Sequence, residues 1–527
     1  MKKLIFSLLL LSFSLINVAG AQSIVYADVN KADVQRMNFE IIGKLANNYL
    51  IYKEVKGAHQ INVFNESMQL LESVPITILP KKKDLLDLTF YPFHNYAYLL
   101  YQFQKGNVVY CNAVRVEANG KILQEPVTLD TTIIAYTADR KINSSVKSSD
   151  GNKILLFKIN KKDPAHHVFK TRLYDGELNL IKESRYTVPM VKGGDFLSGY
   201  SLANNGDFAF VKYNRLNSGN IQEAALMVKP ENSDIYNEYP LAVDELFLDD
   251  IKLKIDEGNN RYLLSSFYAQ QKKGNIAGIY NYALGLGDRE KRFETVTPFN
   301  EDLRKKMGGK SGGKTAFNDL FINNIIIHQN GGFSIGAEAL YTTNAGGMWD
   351  RWNYWGSPYG FYGGPYGFYG GWGGWGAWGR GYWSPYYYYS PFFYRSYWWG
   401  AGYGYGDGYA RYNAGNIGVF SFDKDGNRTS DQVIFKNQSE VGTDGTISYQ
   451  VLVDGDRMHF ILNRAGKISD LDDVIITEGG QRTEAEPIEA KDKYVDFMPR
   501  YGKQVGPGSM IIPYVYKKNI SFAKVDF

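Results

Sequence analysis

Ser148–Lys162 reads SSDGNKILLFKINKK and Asn204–Leu216 reads NNGDFAFVKYNRL. The two share one plan: a polar tight turn, Asp150-Gly151 or Asn205-Gly206, followed by a strand dense in Ile, Leu, Val, Phe and Tyr. Both dipeptides tolerate the positive φ that tight hairpins demand, so turn chemistry and strand pattern agree. Asn330-Gly331 repeats the signal inside INNIIIHQNGGFSIGAEALY (Ile322–Tyr341). Further units begin near NNYLIYKEVKGAHQINVF (Asn47–Phe64), NYAYLLYQFQKGNVVYCNAVRV (Asn95–Val116), EGNNRYLLSSFYAQQ (Glu257–Gln271) and TISYQVLVDGDRMHFILN (Thr446–Asn463).

From Ser23 onward such segments alternate with turn signals, and almost nothing has a helical period. The units recur at roughly 45–60 residues, the spacing of a four-stranded sheet repeat. The expected fold is all-β, a β-propeller of about seven four-stranded blades, because radial repetition hides sheet edges in a chain of this length. Two stacked β-sandwiches are one alternative. An outer-membrane barrel, suggested only by the aromatic end ISFAKVDF, is the other, although its unit would be a single hairpin. To close the ring, the final strand is expected to pair with Ile24–Val29 or with Phe39–Leu45.

Composition narrows the class. The 527 residues are 44% hydrophobic, 22% charged and 15% aromatic, enough to bury a large core. A single cysteine, Cys111, excludes an intrachain disulfide framework and is read as a small buried core residue. The balance of 59 Lys plus Arg against 55 Asp plus Glu lacks the strongly basic character of a nucleic-acid binder. Met1–Ala21 has the organisation of a secretory signal: Lys2 and Lys3, an apolar run from Leu4 to Val18, and Ala19-Gly20-Ala21 before an expected cut at Gln22. No cysteine follows that run, and no later segment resembles a membrane-spanning helix. The expected address is the periplasm, the outer-membrane surface or the extracellular space.

The expected organisation is a signal at 1–21, the first part of the propeller at 22–345, an insertion at 346–412 and the closing part at 413–527. The insertion has no Leu, Ile or Val and holds all nine tryptophans, from Trp349 to Trp399. PYGFYGG stands there twice in tandem, Pro358–Gly364 and Pro365–Gly371. So much Gly costs backbone entropy on ordering, which points to a mobile or collapsed loop between two strands of one sheet. Its chemistry is that of aromatic faces on Gly spacers, with Arg351, Arg380, Arg395 and Arg411 open to cation–π contacts. The candidate ligand-binding residues are Trp349, Trp352, Trp355, Tyr359, Tyr362, Tyr366, Tyr369, Trp372, Trp375, Trp378, Trp383, Trp398 and Trp399. Such faces suit a glycan, a cell-envelope component or a partner protein. With only Asp350 and Asp407 opposing the four Arg, and no Lys, attraction to nucleic acid would be weak.

Other motifs resemble chemistry without its context. Gly308–Thr315, GGKSGGKT, matches the P-loop pattern, but a strand follows where a P-loop needs a helix. Gly332–Gly336, GFSIG, fits GxSxG, yet AEALYTT continues the strand, which makes Ser334 an ordinary strand residue. Asp423–Asn427 opens like a calcium loop but lacks its glycine and closing acid, so a hairpin turn is expected. Of His59, His94, His166, His167, His328 and His459 only one pair is adjacent, and strand neighbours point to opposite faces. Asp249 with Asp250, and Asp470, Asp472 and Asp473, could serve glycosidase chemistry but are read as solvated turns. No metal site and no cofactor is expected.

NGGFSIGAEALYTT, an aromatic insertion, NIGVFSFDKDGNRTSDQVIFKNQ and SYQVLVDGDRMHFILN together resemble a group of uncharacterised exported β-propeller-like proteins of Gram-negative bacteria. There a DGGF hairpin precedes a Tyr-rich loop, a DKDG turn and a Lys-Gln strand end. The resemblance covers about 130 residues and implies a fold but no activity. This chain departs from it in QNGG, where Asp often stands, and in the Trp content of its loop. Tryptophans confined to one loop exclude the Trp-Asp repeat pattern, and SFDKDGNRT has one residue too many for a sialidase-type aspartate box. The leading expectation is a non-catalytic adhesion or binding protein; a carbohydrate-active hydrolase or lyase and a structural subunit of an envelope assembly are the alternatives.

Overall fold

A computed structural model describes residues 22–30, 37–81, 83–138, 141–163, 165–190, 195–215, 220–243, 245–249, 251–272, 274–308, 320–344, 347–348, 383–384, 411–441 and 445–527. The strands are antiparallel and run in chain order through four-stranded meanders. Meander I spans Asn38–Leu45 to Leu70–Pro75, II Leu85–Pro92 to Val127–Ile133, III Ser144–Lys147 to Leu180–Pro189, and IV Asp195–Leu202 to Asn237–Pro240. V runs from Lys252–Asp256 to Lys291–Pro298, VI from Leu320–Ile327 to Arg428–Ile434, and VII from Tyr449–Asp454 to Arg482–Glu484. The two-residue strand Phe247–Leu248 pairs with both IV and V and joins them into one nine-stranded sheet. The one α-helix among the described residues is Glu301–Met307, capped by the Asn300 side chain on the Leu303 N–H.

An eighth meander, beyond the seven units marked by the sequence, closes on both chain ends. Meander VIII holds Val495–Phe497 and Lys503–Gly506 against Ser509–Tyr516, then Asn519–Asp526, and its last strand is Ser23–Tyr26 from the other end of the chain. Val25 lies opposite Lys524, which realises the expected pairing of the final strand with the N-terminal segment. This meander is unmarked in the sequence because its central hairpin turns through Lys517-Lys518, with φ 48° and 75°, instead of an Asn-Gly or Asp-Gly pair. The expected glycine turns are in place elsewhere: Gly206 has φ +91°, and a Cβ there would lie 2.3 Å from Glu231 Oε2.

Alternation places one apolar cluster between each meander and the next. Leu50 and Tyr52 of I meet Leu88 and Leu99 of II; Leu100 and Cys111 of II meet Ile154 and Leu156 of III. Phe157 and Phe169 of III meet Phe208 and Phe210 of IV, and Val211 and Leu226 of IV meet Tyr262 and Tyr280 of V. The series continues with Phe267 against Phe420, Val419 against Phe460, and Ile461 against Ile512. The last cluster joins VIII back to I through Ile511 and Phe522 against Ile41 and Ile51, with Phe39 edge-on to Phe522 at 5.2 Å. Cys111 is buried in its cluster, as expected.

Turns at one end of the meanders are stapled across their boundaries. Asn204 Oδ1 accepts from Ser149 Oγ at 3.0 Å and from the Asp150 N–H at 3.1 Å, while the Asn204 N–H donates to Glu257 Oε1 at 2.7 Å. Arg261 donates to the carbonyls of Gly331 and Lys424 at 2.6 and 2.8 Å, and the Gln329 N–H to Glu478 Oε1 at 2.6 Å. The turn residues that set each hairpin therefore also fix its neighbour.

Phe522→Ala empties the cluster between the last and first meanders. A loss of about 3–5 kcal/mol in urea unfolding is expected; a loss below about 1 kcal/mol would show that this junction is not a packed interface.

Candidate functional site

The insertion leaves from the middle of a sheet. Phe333–Asn344 and Arg411–Phe422, the second and third strands of VI, pair from Phe333↔Phe422 to Thr343↔Arg411, so the insertion joins two adjacent strands as expected. Gln438–Val441 pairs with Arg411–Ala414 and adds a third strand to the stem. Below it Glu338, fully buried, is ion-paired with Lys436 and accepts from Ser448 Oγ at 2.6 Å. Gln438 Oε1 receives Lys436 Nζ at 3.0 Å and the Ser448 N–H at 2.7 Å. Burial drives the Lys436 ammonium below the usual lysine range, opposed by the carboxylate of Glu338. A buried pair closed by hydrogen bonds in this way holds one geometry for the stem.

Of the aromatic residues singled out as ligand-binding, Trp383 has a described backbone: Trp383–Ser384 pairs with Ile159–Asn160 of meander III. The others lie outside the described residues. Gly309 to Thr315 of the P-loop-like stretch also lie outside them, as does Met1–Ala21.

A second constellation lies on first strands. Glu40 (meander I), Asp87 (II) and Lys503 (VIII) stand on strands that lie beside one another, Lys503 donating to the carbonyls of Ile41 and Ile42 at 3.0 Å each. Lys141 sits 3.4 Å from Asp87 Oδ2, both almost fully buried. Glu40 Oε2 and Asp87 Oδ1 are enclosed and have no hydrogen-bond partner among the described residues. Burial pushes the Glu40 carboxyl up to about 8, with Lys503 pulling it down and Asp87 adding to the rise. Lys503 is lowered by the same burial. The sequence gives only a weak signal for this pair, a lone carboxylate between apolar neighbours in NFEII and LLDLT.

A cavity of about 310 Å³ opens at the stapled turns, lined by Ser149, Asp256, Glu257, Asn259, His328 and Gln329. Asp256 is held by Arg261 Nε at 2.9 Å, and burial raises the Glu257 carboxyl. His328 Nε2 lies 2.8 Å from Ser334 Oγ, which lies 2.8 Å from Ser421 Oγ. The Ser–His spacing is that of an activated nucleophile. Ser334 is fully buried on its strand, however, and this triad ties two strands to a turn; the strand expectation holds. Asp423–Asn427 is the expected hairpin turn, with Gly426 at φ 80° and Asp423 capping the N–H groups of Asp425 and Asn427.

The acidic residues read as solvated turns are a correction. Asp470, Asp472 and Asp473 lie on the strand Lys467–Thr477, where Asp470 and Asp473 are buried, and Asp249 is buried as well; Asp250 lies outside the described residues. A consecutive-looking acidic run reads as a turn, but on a strand its members alternate faces and find separate partners. Asp473 accepts from Gln22 Nε2 at 2.7 Å and lies 2.9 Å from His459 Nδ1, while Asp470 pairs with Lys467 at 2.6 Å. His166 is exposed and its neighbour His167 buried, the opposed faces expected of the pair. Among the described residues no group of three His, Cys, Asp or Glu is placed to hold a metal ion.

No protein-family model matches the sequence, and neither does any curated protein. Among solved structures, prolyl oligopeptidase B from Galerina marginata is similar at 7% identity over 92% of this chain and 56% of its own, with a TM-score of 0.40. A PL25 ulvan lyase matches at 11% identity, 83% and 92% coverage and 0.35, and an oligogalacturonate lyase at 8%, 96% and 96%, and 0.35. The chain spans about half the length of the prolyl endopeptidases that it matches.

Glu40→Gln tests the enclosed carboxyl. With a folded value near 8 against about 4.3 when unfolded, the folded state keeps a proton that the unfolded chain releases, so wild-type stability falls as pH rises between those values. Relative to wild type the variant should gain stability by at most about 1.4 kcal/mol per pH unit from pH 5 to pH 8 in urea titrations. A pH-independent difference would contradict the burial.

Proposed function

We propose that the protein is an exported, non-catalytic binding protein in which the eight meanders are the blades of a closed β-propeller and the aromatic insertion is the contact element for glycan, envelope or partner. Support for the ring comes from the series of clusters that returns from VIII to I and from the last blade drawn from both chain ends. One observation carries the functional reading: the insertion rises from two core strands through a stem anchored by Glu338, Lys436 and Ser448. A stem held in this way fixes the two ends of a Gly-spaced aromatic segment, whose ring faces can stack on sugar rings or on apolar surfaces. The resemblance to exported propeller-like proteins of Gram-negative bacteria agrees with the leader-like segment and belongs to the same proposal.

Replacing residues 345–410 by a short Gly-Ser linker leaves the Thr343↔Arg411 pairing in place. Binding to purified cell envelopes or to a polysaccharide panel should fall by more than about tenfold while the variant still unfolds cooperatively, since several stacked rings contribute about 0.5–1.5 kcal/mol each. Unchanged binding would remove the function from the insertion.

A second reading, a carbohydrate-active hydrolase or lyase, is favoured by half-buried Glu40 and buried Asp87, carboxylates on neighbouring first strands that each have one enclosed oxygen, Glu40 with a raised pKa. It predicts release of reducing ends or unsaturated sugars from an acidic polysaccharide, lost by at least about a hundredfold in Glu40→Gln. No release from any member of the panel would remove it.

A further inference from the structure

Meander VIII carries a surface that none of the above uses. Lys517 and Lys518 form the two-residue turn between its second and third strands, the position that the insertion occupies in meander VI. Both have left-handed backbone, φ 48° and 75°, where a tight hairpin favours Asn followed by Gly. Two exposed lysines thus stand at a turn whose geometry disfavours them.

Around the turn, cations alternate with rings. Tyr494 is 50% exposed, with Lys493 Nζ 5.3 Å and Lys517 Nζ 5.1 Å from its centroid. Lys517 also lies 5.1 Å from the ring of Tyr516, and Lys491 stands 4.3 Å over Tyr26. Asp492, half-buried, accepts from Tyr516 Oη at 3.1 Å and from the Tyr494 N–H at 2.9 Å. Asp28, Glu486 and Glu489 are exposed acids of the flanking segments. Lys493 and Lys517 thus flank the exposed ring of Tyr494, Lys491 reaches the neighbouring Tyr516 ring at 5.8 Å, and Lys518 is exposed next to Lys517 in the turn.

We propose that this surface binds an acidic polysaccharide, a chain whose sugar rings stack on Tyr494 while its carboxylates or sulfates meet Lys491, Lys493, Lys517 and Lys518. A neutral glycan would use the ring but leave four cations unanswered. A duplex or single-stranded nucleic acid would call for a longer basic track than one blade offers. The surface is built from described residues of the last meander and does not depend on the insertion's role.

Polygalacturonate is the probe, with dextran as the neutral control and phosphatidylglycerol vesicles as the lipid control, each titrated against the full chain at low and at physiological salt. Polygalacturonate should bind and weaken as salt rises, dextran and vesicles should not bind, and the insertion-swapped variant should bind polygalacturonate like wild type. K517N/K518G supplies the residues that the turn geometry favours; it should keep or raise Tm while binding falls at least about tenfold. Y494A should weaken binding at both salt concentrations, as loss of stacking does. Unchanged affinity in K517N/K518G, binding to vesicles alone, or no binding to polygalacturonate would each overturn the proposal.

Discussion

The strand Ser23–Tyr26 completes a meander whose other strands come from the opposite end of the chain, and the junction between the last meander and the first is built beside that exchange. Without it one edge of Asn519–Asp526 would expose a row of unpaired N–H and C=O groups. Side chains bonded across it stand 503 positions apart, as Ser23 and Asp526 do. Bringing such distant ends together costs at most roughly 5–6 kcal/mol. Four residue pairs, at about 1 kcal/mol for each hydrogen bond, return no more than that. The decisive contribution is apolar: Ile41, Ile51, Ile511 and Phe522 are buried between VIII and I, at about 1.5–3 kcal/mol each. The pairing fixes register; the cluster supplies the stability.

The same division of labour recurs at each boundary. Phenylalanines, tyrosines and aliphatics fill the space between meanders, while a few polar side chains fix neighbours at the turns: Asn204 reads the turns on both sides, and Arg261 spans from V to two turns of VI. Charge is answered in Glu338 with Lys436 and shared in Glu40 with Lys503 and Asp87. The first arrangement anchors the stem of the insertion. The second leaves two carboxylate oxygens without hydrogen-bond partners among the described residues.

Most of the fold was legible because turn chemistry and alternation are local signals. Asp150-Gly151, Asn205-Gly206 and Asn330-Gly331 mark hairpins that the structure contains, whereas composition extends the insertion to Tyr412 and the next strand already begins at Arg411. Meander VIII escaped because its central turn is built from lysines in left-handed conformation and its last strand lies at the far end of the chain. The acidic run at Asp470–Asp473 was misplaced for a related reason: burial of a carboxylate depends on a partner such as Gln22, which no local pattern reveals. Glu40 and Asp87 are single residues in apolar strands, brought side by side only by the packing of first strands.

The central claim, that the chain closes on itself through its first and last strands, is tested most directly by trapping that pairing. A variant with Val25→Cys and Lys524→Cys, residues directly opposite in the register, and with Cys111→Ser to remove the native thiol, should oxidise to an intramolecular disulfide in the monomer and melt at a higher temperature than its reduced form. Thiols that stay free, or that link only between molecules, would contradict the closure.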